Sequence, residues 1–309
     1  MAMFHAKVQP TLLLILLLFQ PCLLFLHADA AVHVHHGGVH LRSQQAALLQ
    51  YWKSTLRSSP ALESWREGTS PCSSNWTGIV CDTVHRGSRA PLVVTEITLP
   101  NAGIDGRIGE LNFSALPLLT RIDLRYNNLI PSELGNMGNL RVLEISENNF
   151  TGRIPPSLGN LTNSNLLVLA IHQSSLTGTI PEELGKLTNL EYLERSSSLL
   201  TGQVPESLGN LTRVQLFHLP ENLLWGPIPS SLGNLMNLAE IELGENYFSG
   251  GIPSTFANLT NLYGLILSDN QLTGSIPATL ANLRSLTELY AFNNFLSGTL
   301  PRVSLILLS

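Results

Sequence analysis

From Leu262 to Asn282 the chain reads LYGLILSDNQLTGSIPATLAN. Its first third alternates apolar and polar residues with a period of two, the pattern of a short strand with one buried face. Leu265 and Leu267 fall on the inward side, Ile266 and Ser268 on the outward side. Asn270 follows at the bend, where an Asn side chain bonds to nearby backbone groups. Gly274 and Pro277 shape the return path, one through backbone freedom and the other through fixed φ. ATLANL then predicts a short helical turn on the outer side.

The phrase recurs. FTGRIPPSLGNL occupies 150–161, LTGTIPEELGKL 176–187, LTGQVPESLGNL 200–211 and FSGGIPSTFANL 248–259. Pro181, Pro205, Pro229, Pro253, Pro277 and Pro301 are each 24 residues apart. Pro155 to Pro181 is 26, which implies a two-residue insertion near TNSNLL at 162–167. Leu119 to Leu140 is 21, in a unit (NNLIPSELGNMGNL) that lacks the usual glycine turn. Counted from Ile97 there are nine units, and Asn127, Asn148, Asn222, Asn246 and Asn294 match Asn270 as a side-chain ladder. Strands ~4.8 Å apart make nine of them a parallel sheet ~40 Å long. Each unit buries its apolar side against its neighbours, as a solenoid does.

This spacing matches the leucine-rich repeat. Over residues 43–301 the chain resembles the plant extracellular subtype, with its repeat L-x-x-L-x-L-x-x-N-x-L-x-G-x-I-P. SQQAALLQYWKSTL (43–56) resembles the family's capping helix, with Ser43 as N-cap and Leu48, Leu49, Trp52 and Leu56 on one face. SWREGTSPCSSNWTGIVCD (64–82) resembles its paired-cysteine segment. The resemblance implies an α/β fold: a leucine-rich-repeat solenoid with a parallel β-sheet on the concave face, short helical turns on the convex side and an N-terminal helical cap. The expected division is a signal peptide at 1–30, the cap at 31–92 and about nine repeats at 93–309.

Composition narrows the function. Charged residues are 13% against ~25% in an average soluble domain, the net charge is −5, and the lysines are Lys7, Lys53 and Lys186. That excludes the basic face a nucleic-acid binder needs. Lys7, the apolar runs TLLLILLLF (11–19) and CLLFL (22–26), and ADA at 28–30 read as a secretory signal with its cleavage site. The alternative is a retained anchor, but each half is short for a ~20-residue span. The expected location is therefore secreted and extracellular, in the apoplast or at the cell surface. Cys22 leaves with the signal, and Cys72 and Cys81 remain as an even pair suited to a disulfide in an oxidising compartment. His33, His35, His36 and His40 have no recognisable metal-ligand spacing and read as a solvated linker. No cofactor or metal is expected.

Some positions depart from the pattern. Arg195 stands where a core Leu is expected, Ser174 and Ser198 replace ladder asparagines, and Ala291 replaces a strand Leu. The commonest relatives of this kind, receptor-like kinases, continue into a transmembrane helix and a kinase, whereas this chain reads PRVSLILLS at its end. It carries no glycine-rich phosphate loop or kinase catalytic-loop motif. The last unit is expected to expose Leu286, Leu289 and Leu296, followed by the apolar Val303, Leu305, Ile306, Leu307 and Leu308.

There is no G-x-S-x-G or H-E-x-x-H, and His85, His172 and His218 are far apart in the repeat map, so no enzyme is expected. Function falls to the concave sheet. One outward column runs Asp123, Glu144, Ala170, Glu194, His218, Glu242, Ile266, Tyr290. The next runs Arg125, Ser146, His172, Ser196, Pro220, Gly244, Ser268, Phe292, and a third Tyr126, Glu147, Gln173, Ser197, Glu221, Glu245, Asp269, Asn293. The candidate ligand-binding set is Glu194, His218, Glu221, Glu240, Glu242, Glu245, Asp269, Tyr290 and Phe292, set against a merely solvated charged face. Sequons at Asn75, Asn112, Asn149, Asn160, Asn210 and Asn258 are glycan acceptor candidates. These features read as an extracellular recognition module, receptor-like but without a kinase, for a peptide or protein ligand and a co-receptor. The alternatives are a secreted inhibitor resembling polygalacturonase-inhibiting proteins, whose second cysteine-paired cap is missing here, or a truncated receptor product.

Overall fold

The computed structural model describes residues 38–83, 92–108, 111, 116–130, 139–148, 151–163, 165–172, 175–194 and 196–299. The regions assigned to the signal (1–30) and to the apolar tail (301–309) lie outside them, as do His33, His35, His36, His85, Ser174 and Arg195.

Nine parallel strands stack in sequence order: Leu92–Thr98, Arg121–Asp123, Val142–Glu144, Val168–Ala170, Tyr192–Glu194, Leu216–His218, Glu240–Glu242, Gly264–Ile266 and Glu288–Tyr290. An antiparallel strand, Ile79–Thr83, completes a ten-stranded sheet at the N-terminal edge. The register joins Ile97, Ile122, Leu143, Leu169, Leu193, Phe217, Ile241, Leu265 and Leu289 into one inward column, all of them buried. The 21- and 26-residue units hold the same register, so their length differences are absorbed outside the strands. A slip of one residue would turn this whole column to solvent, which is why the register is so strongly specified.

A second sheet is a finding that the repeat pattern alone did not suggest. Seven short strands, from Thr151–Arg153 to Phe295–Ser297, follow the asparagine-ladder positions in successive units. They end near the repeat glycines, which take positive φ (Gly202 and Gly226 at 86°), a conformation costly for other residues. The outer turns are 3₁₀ rather than α-helical, as at Glu206–Asn210 and Ser230–Asn234. Each starts from the extended φ of a proline and buries a Leu or Phe. Adjacent turns pack so closely that a Cβ on Gly209 would sit 2.5 Å from the Ser231 carbonyl oxygen.

The N-terminal helix runs Gly38–Thr55. It begins five residues before Ser43, which therefore lies inside the helix and is not its N-cap. Leu49 and Trp52 are fully buried, while Leu48 and Leu56 pack at the edge. Trp52, Trp65 and Trp76 form a cluster in which Trp65 stacks on Trp76 at 5.3 Å and Trp52 meets Trp65 tilted at 6.2 Å. Their indole N–H groups donate to Arg107 O, Thr77 O and Thr69 Oγ1, so the buried polar atoms are satisfied. The Cys72–Cys81 disulfide ties this cap to the antiparallel strand. At the other end Leu286 and Leu289 are buried, at 3% and 5% exposure, contrary to expectation. Leu289 is the middle residue of its strand and points inward against the preceding unit. Leu296 is partly buried.

Candidate functional site

The concave sheet aligns its outward residues by register. Glu144, Ala170, Glu194, His218, Glu242, Ile266 and Tyr290 stand side by side, and so do Val168, Tyr192, Leu216, Glu240, Gly264 and Glu288. Four residues past the strand's middle position, in the repeats where that residue is described, the backbone turns left-handed. Tyr126, Glu147, Ser197, Glu221, Glu245, Asp269 and Asn293 have φ between 50° and 59°. Non-glycine residues resist this region by about 1–2 kcal/mol, and the turn recovers the cost through regular pairing. Glu221 N–H donates to Gly244 O, Glu245 N–H to Ser268 O and Asp269 N–H to Phe292 O. The backbone thereby fixes three of the candidate carboxylates, with Glu221 and Glu245 exposed.

The N-terminal end and the middle of the face differ in charge balance. Near the N-terminal end Asp123 is buried and takes two hydrogen bonds from Arg125, at 2.9 and 2.8 Å. Arg121 donates to Glu144 at 2.8 Å. Burial pushes the Asp123 carboxyl up, but the bonds and charge of Arg125 more than offset this and hold it below the usual range. Asp123 is compensated, whereas burial raises Glu144 despite the charges of Arg121 and Arg125.

In the middle the acids are not compensated. Glu194, Glu221, Glu240, Glu242 and Glu245 share no ion pair with a lysine or arginine among the described residues. Burial, then the charges of Glu240, Glu194, Glu221 and Glu245, push the Glu242 carboxyl up to about 7. Burial and the charges of Glu221 and Asp269 raise Glu245. Hydroxyl groups donate to these acids: Tyr192 and Ser196 to Glu194, and Tyr263 to Glu240. Ser197 Oγ and Glu221 are 2.7 Å apart.

His218 departs from its expected role as an accessible contact. It is 6% exposed, edge-on to Tyr192 at 6.1 Å, with every residue of its strand buried. Burial lowers its pKa, with Glu240 and Glu194 opposing. One ligand-type atom from each of His218, Glu240 and Glu242 lies within 4.8 Å of the others. Spacing alone did not reveal this meeting, because Glu240 and Glu242 belong to the next repeat; only the 24-residue register brings them beside His218. Farther along, Tyr290 is half-buried and Phe292 is exposed. A further exposed pair, Trp225 and Tyr247, is aligned on the second sheet, which sequence reading did not single out.

On the outer side, Asn160, Asn210 and Asn258 are exposed at corresponding 3₁₀ turns, and Asn75 is exposed in the cap. Asn112 and Asn149 lie outside the described residues. Among the described residues no helix is long and apolar enough to cross a membrane.

Comparison with known proteins agrees with this architecture. Family models described as Leucine rich repeat match residues 236–296 and 139–161, and the Leucine rich repeat N-terminal domain matches 42–82. A probable inactive receptor kinase of Arabidopsis thaliana is 37% identical over 121 residues, 38% of this chain and 18% of that protein. The solved ectodomain of the Arabidopsis thaliana receptor kinase GASSHO1/SCHENGEN3, in complex with CASPARIAN STRIP INTEGRITY FACTOR 2, superposes with a TM-score of 0.76 at 35% identity. The match covers 84% of this chain and 30% of that one. The Arabidopsis receptor kinase HAESA, solved with the peptide hormone IDA and the co-receptor SERK1, gives a TM-score of 0.66 at 31% identity, covering 84% and 47%. The chain spans 10–18% of the length of the first curated relatives it matches.

Proposed function

We propose, from the premise that this chain is a leucine-rich-repeat protein of the plant extracellular type and resembles receptor-kinase ectodomains, that it is an extracellular recognition module binding a basic peptide or protein segment along its concave face. The observation that carries this reading is the central group of carboxylates without a lysine or arginine partner among the described residues. Like charges held together on a rigid sheet cost free energy, and a cationic side chain laid across them recovers it. Tyr290 and Phe292 supply an apolar anchor farther along the same face. The neighbouring ectodomains were solved with a peptide hormone or a named factor, which supports a peptide as ligand class.

The reading includes cleavage of residues 1–30, a cap at 31–92, repeats from 93 onward, and glycans on the outer turns that leave the concave face open. It assigns recognition, not catalysis, to the repeat region. With a bound partner in hand, the triple change Glu221→Lys, Glu242→Lys, Glu245→Lys weakens binding at least tenfold and flattens its salt dependence. Unchanged affinity would place the binding surface elsewhere.

A further inference from the structure

The chemistry at His218 goes beyond the binding of a basic peptide. Its Nε2 is fully buried, and no described protein group forms a hydrogen bond with it. The nitrogen points at Glu240 Oε1, 3.7 Å away, too far for a hydrogen bond. The other oxygen of Glu240, Oε2, accepts from the Tyr263 hydroxyl, which orients the carboxylate and leaves Oε1 turned to the imidazole. Glu242 sits beside His218 in the strand register, and among the described residues no hydrogen bond engages its carboxylate. Glu194, on the other side, is already held by Tyr192.

We propose that His218, Glu240 and Glu242 bind one divalent transition-metal ion, Zn²⁺ in preference to Ca²⁺ or Mg²⁺. One imidazole nitrogen and two carboxylate oxygens form a mixed donor set suited to zinc, whereas calcium and magnesium take oxygen ligands. The three atoms lie within 4.8 Å of one another. Even at that limit a point equidistant from all three is about 2.8 Å from each, so closing to zinc bond lengths of ~2.0–2.2 Å needs side-chain shifts under about 1 Å. Tyr263 is the positioning residue, holding Glu240 as outer partners hold ligands in known zinc sites. Two carboxylates neutralise the ion, and the half-buried Glu240 and Glu242 leave its remaining coordination open toward the concave side.

The test uses the secreted full chain, stripped with chelator and titrated with ZnCl₂ and with CaCl₂ by calorimetry without any peptide present. Peptide binding, measured separately in chelator, judges the recognition reading on its own. The proposal expects one zinc per chain at this site, binding at least tenfold tighter than calcium, and a visible Co²⁺ spectrum on substitution. His218→Gln abolishes the site, and Tyr263→Phe weakens it about 10–100-fold. Glu242→Gln, at a less buried position, is the second variant should His218→Gln lose its cooperative melt. Zinc bound no more tightly than calcium overturns the proposal. So does zinc uptake that survives both His218→Gln and Glu242→Gln but disappears when His33, His35, His36 and His40 are replaced, which would place the ion on those N-terminal histidines.

Discussion

The side-chain oxygen of Asn246 accepts the backbone N–H of Leu224, 22 residues earlier, at 3.1 Å. Its Nδ2 donates to the carbonyls of Leu219, Leu243 and Gly244 at 2.9, 3.3 and 3.0 Å. One amide thus satisfies buried backbone groups in two successive repeats, and Asn270 does the same one repeat later. Asn246→Ala leaves the buried N–H of Leu224 unpaired and takes one donor each from the carbonyls of Leu219, Leu243 and Gly244, which keep Asn222, Asn270 and the Glu221 N–H. The expected loss is about 2–3 kcal/mol, read as a lower urea midpoint with an unchanged slope.

Arg125 is the counterion of the buried Asp123. Arg125→Met should destabilise the chain by about 2 kcal/mol near neutral pH, less than the ~3–5 typical of a fully buried pair because Arg125 is partly exposed. The sign of the pH dependence follows from the lowered folded-state pKa of Asp123. Its contribution is present above the unfolded carboxyl pKa and is lost as pH falls through the folded value. In the variant burial is opposed only by the charge of Arg121 and the backbone N–H of residue 125, so the Asp123 pKa rises and most of that contribution is gone. Melts of the two proteins from pH 7 down to pH 3 should therefore converge; a constant gap would show that the carboxylate is not the partner that matters.

Gly209 is needed for space, since its φ is not positive and a Cβ would meet Ser231 O at 2.5 Å and Ser231 Cβ at 2.6 Å. Gly209→Ala should cost about 2–3 kcal/mol by forcing two outer turns apart. The same change at Gly68, with open space around it but φ +73°, isolates backbone strain from contact, and urea melts of both variants separate the two causes.

Protein from a plant secretory host should carry glycans at the exposed Asn75, Asn160, Asn210 and Asn258 and a Cys72–Cys81 linkage. Non-reducing peptide mapping with enzymatic deglycosylation reads both. Two alkylatable thiols and no mass shift would contradict an oxidising, secretory history. Replacing both cysteines by Ser should cost about 2–3 kcal/mol for so short a loop.

Much of the fold was legible because its period is long and its strands are short. The proline spacing and the alternation around Leu265 and Leu267 sufficed for the repeat count, the inward column and the outward columns. The second sheet was harder to see, since segments such as Leu199–Gly202 carry too few residues to show a period. Ser43 misled because a good capping residue also occurs inside a helix that starts earlier, at Gly38. At the site, the columns named the acids but not their pairing. That Asp123 is compensated by Arg125 while Glu242 has no basic partner among the described residues depends on side-chain directions across neighbouring strands, which no linear pattern encodes.

A random peptide library selected on chelator-treated secreted chain, and in parallel on the Glu221→Lys, Glu242→Lys, Glu245→Lys variant, tests whether the central acids are the recognition surface. If they are, the wild type enriches sequences rich in Lys and Arg, and the variant loses them. Recovery of the same sequences from both proteins, or enrichment of acidic peptides on the wild type, would contradict it.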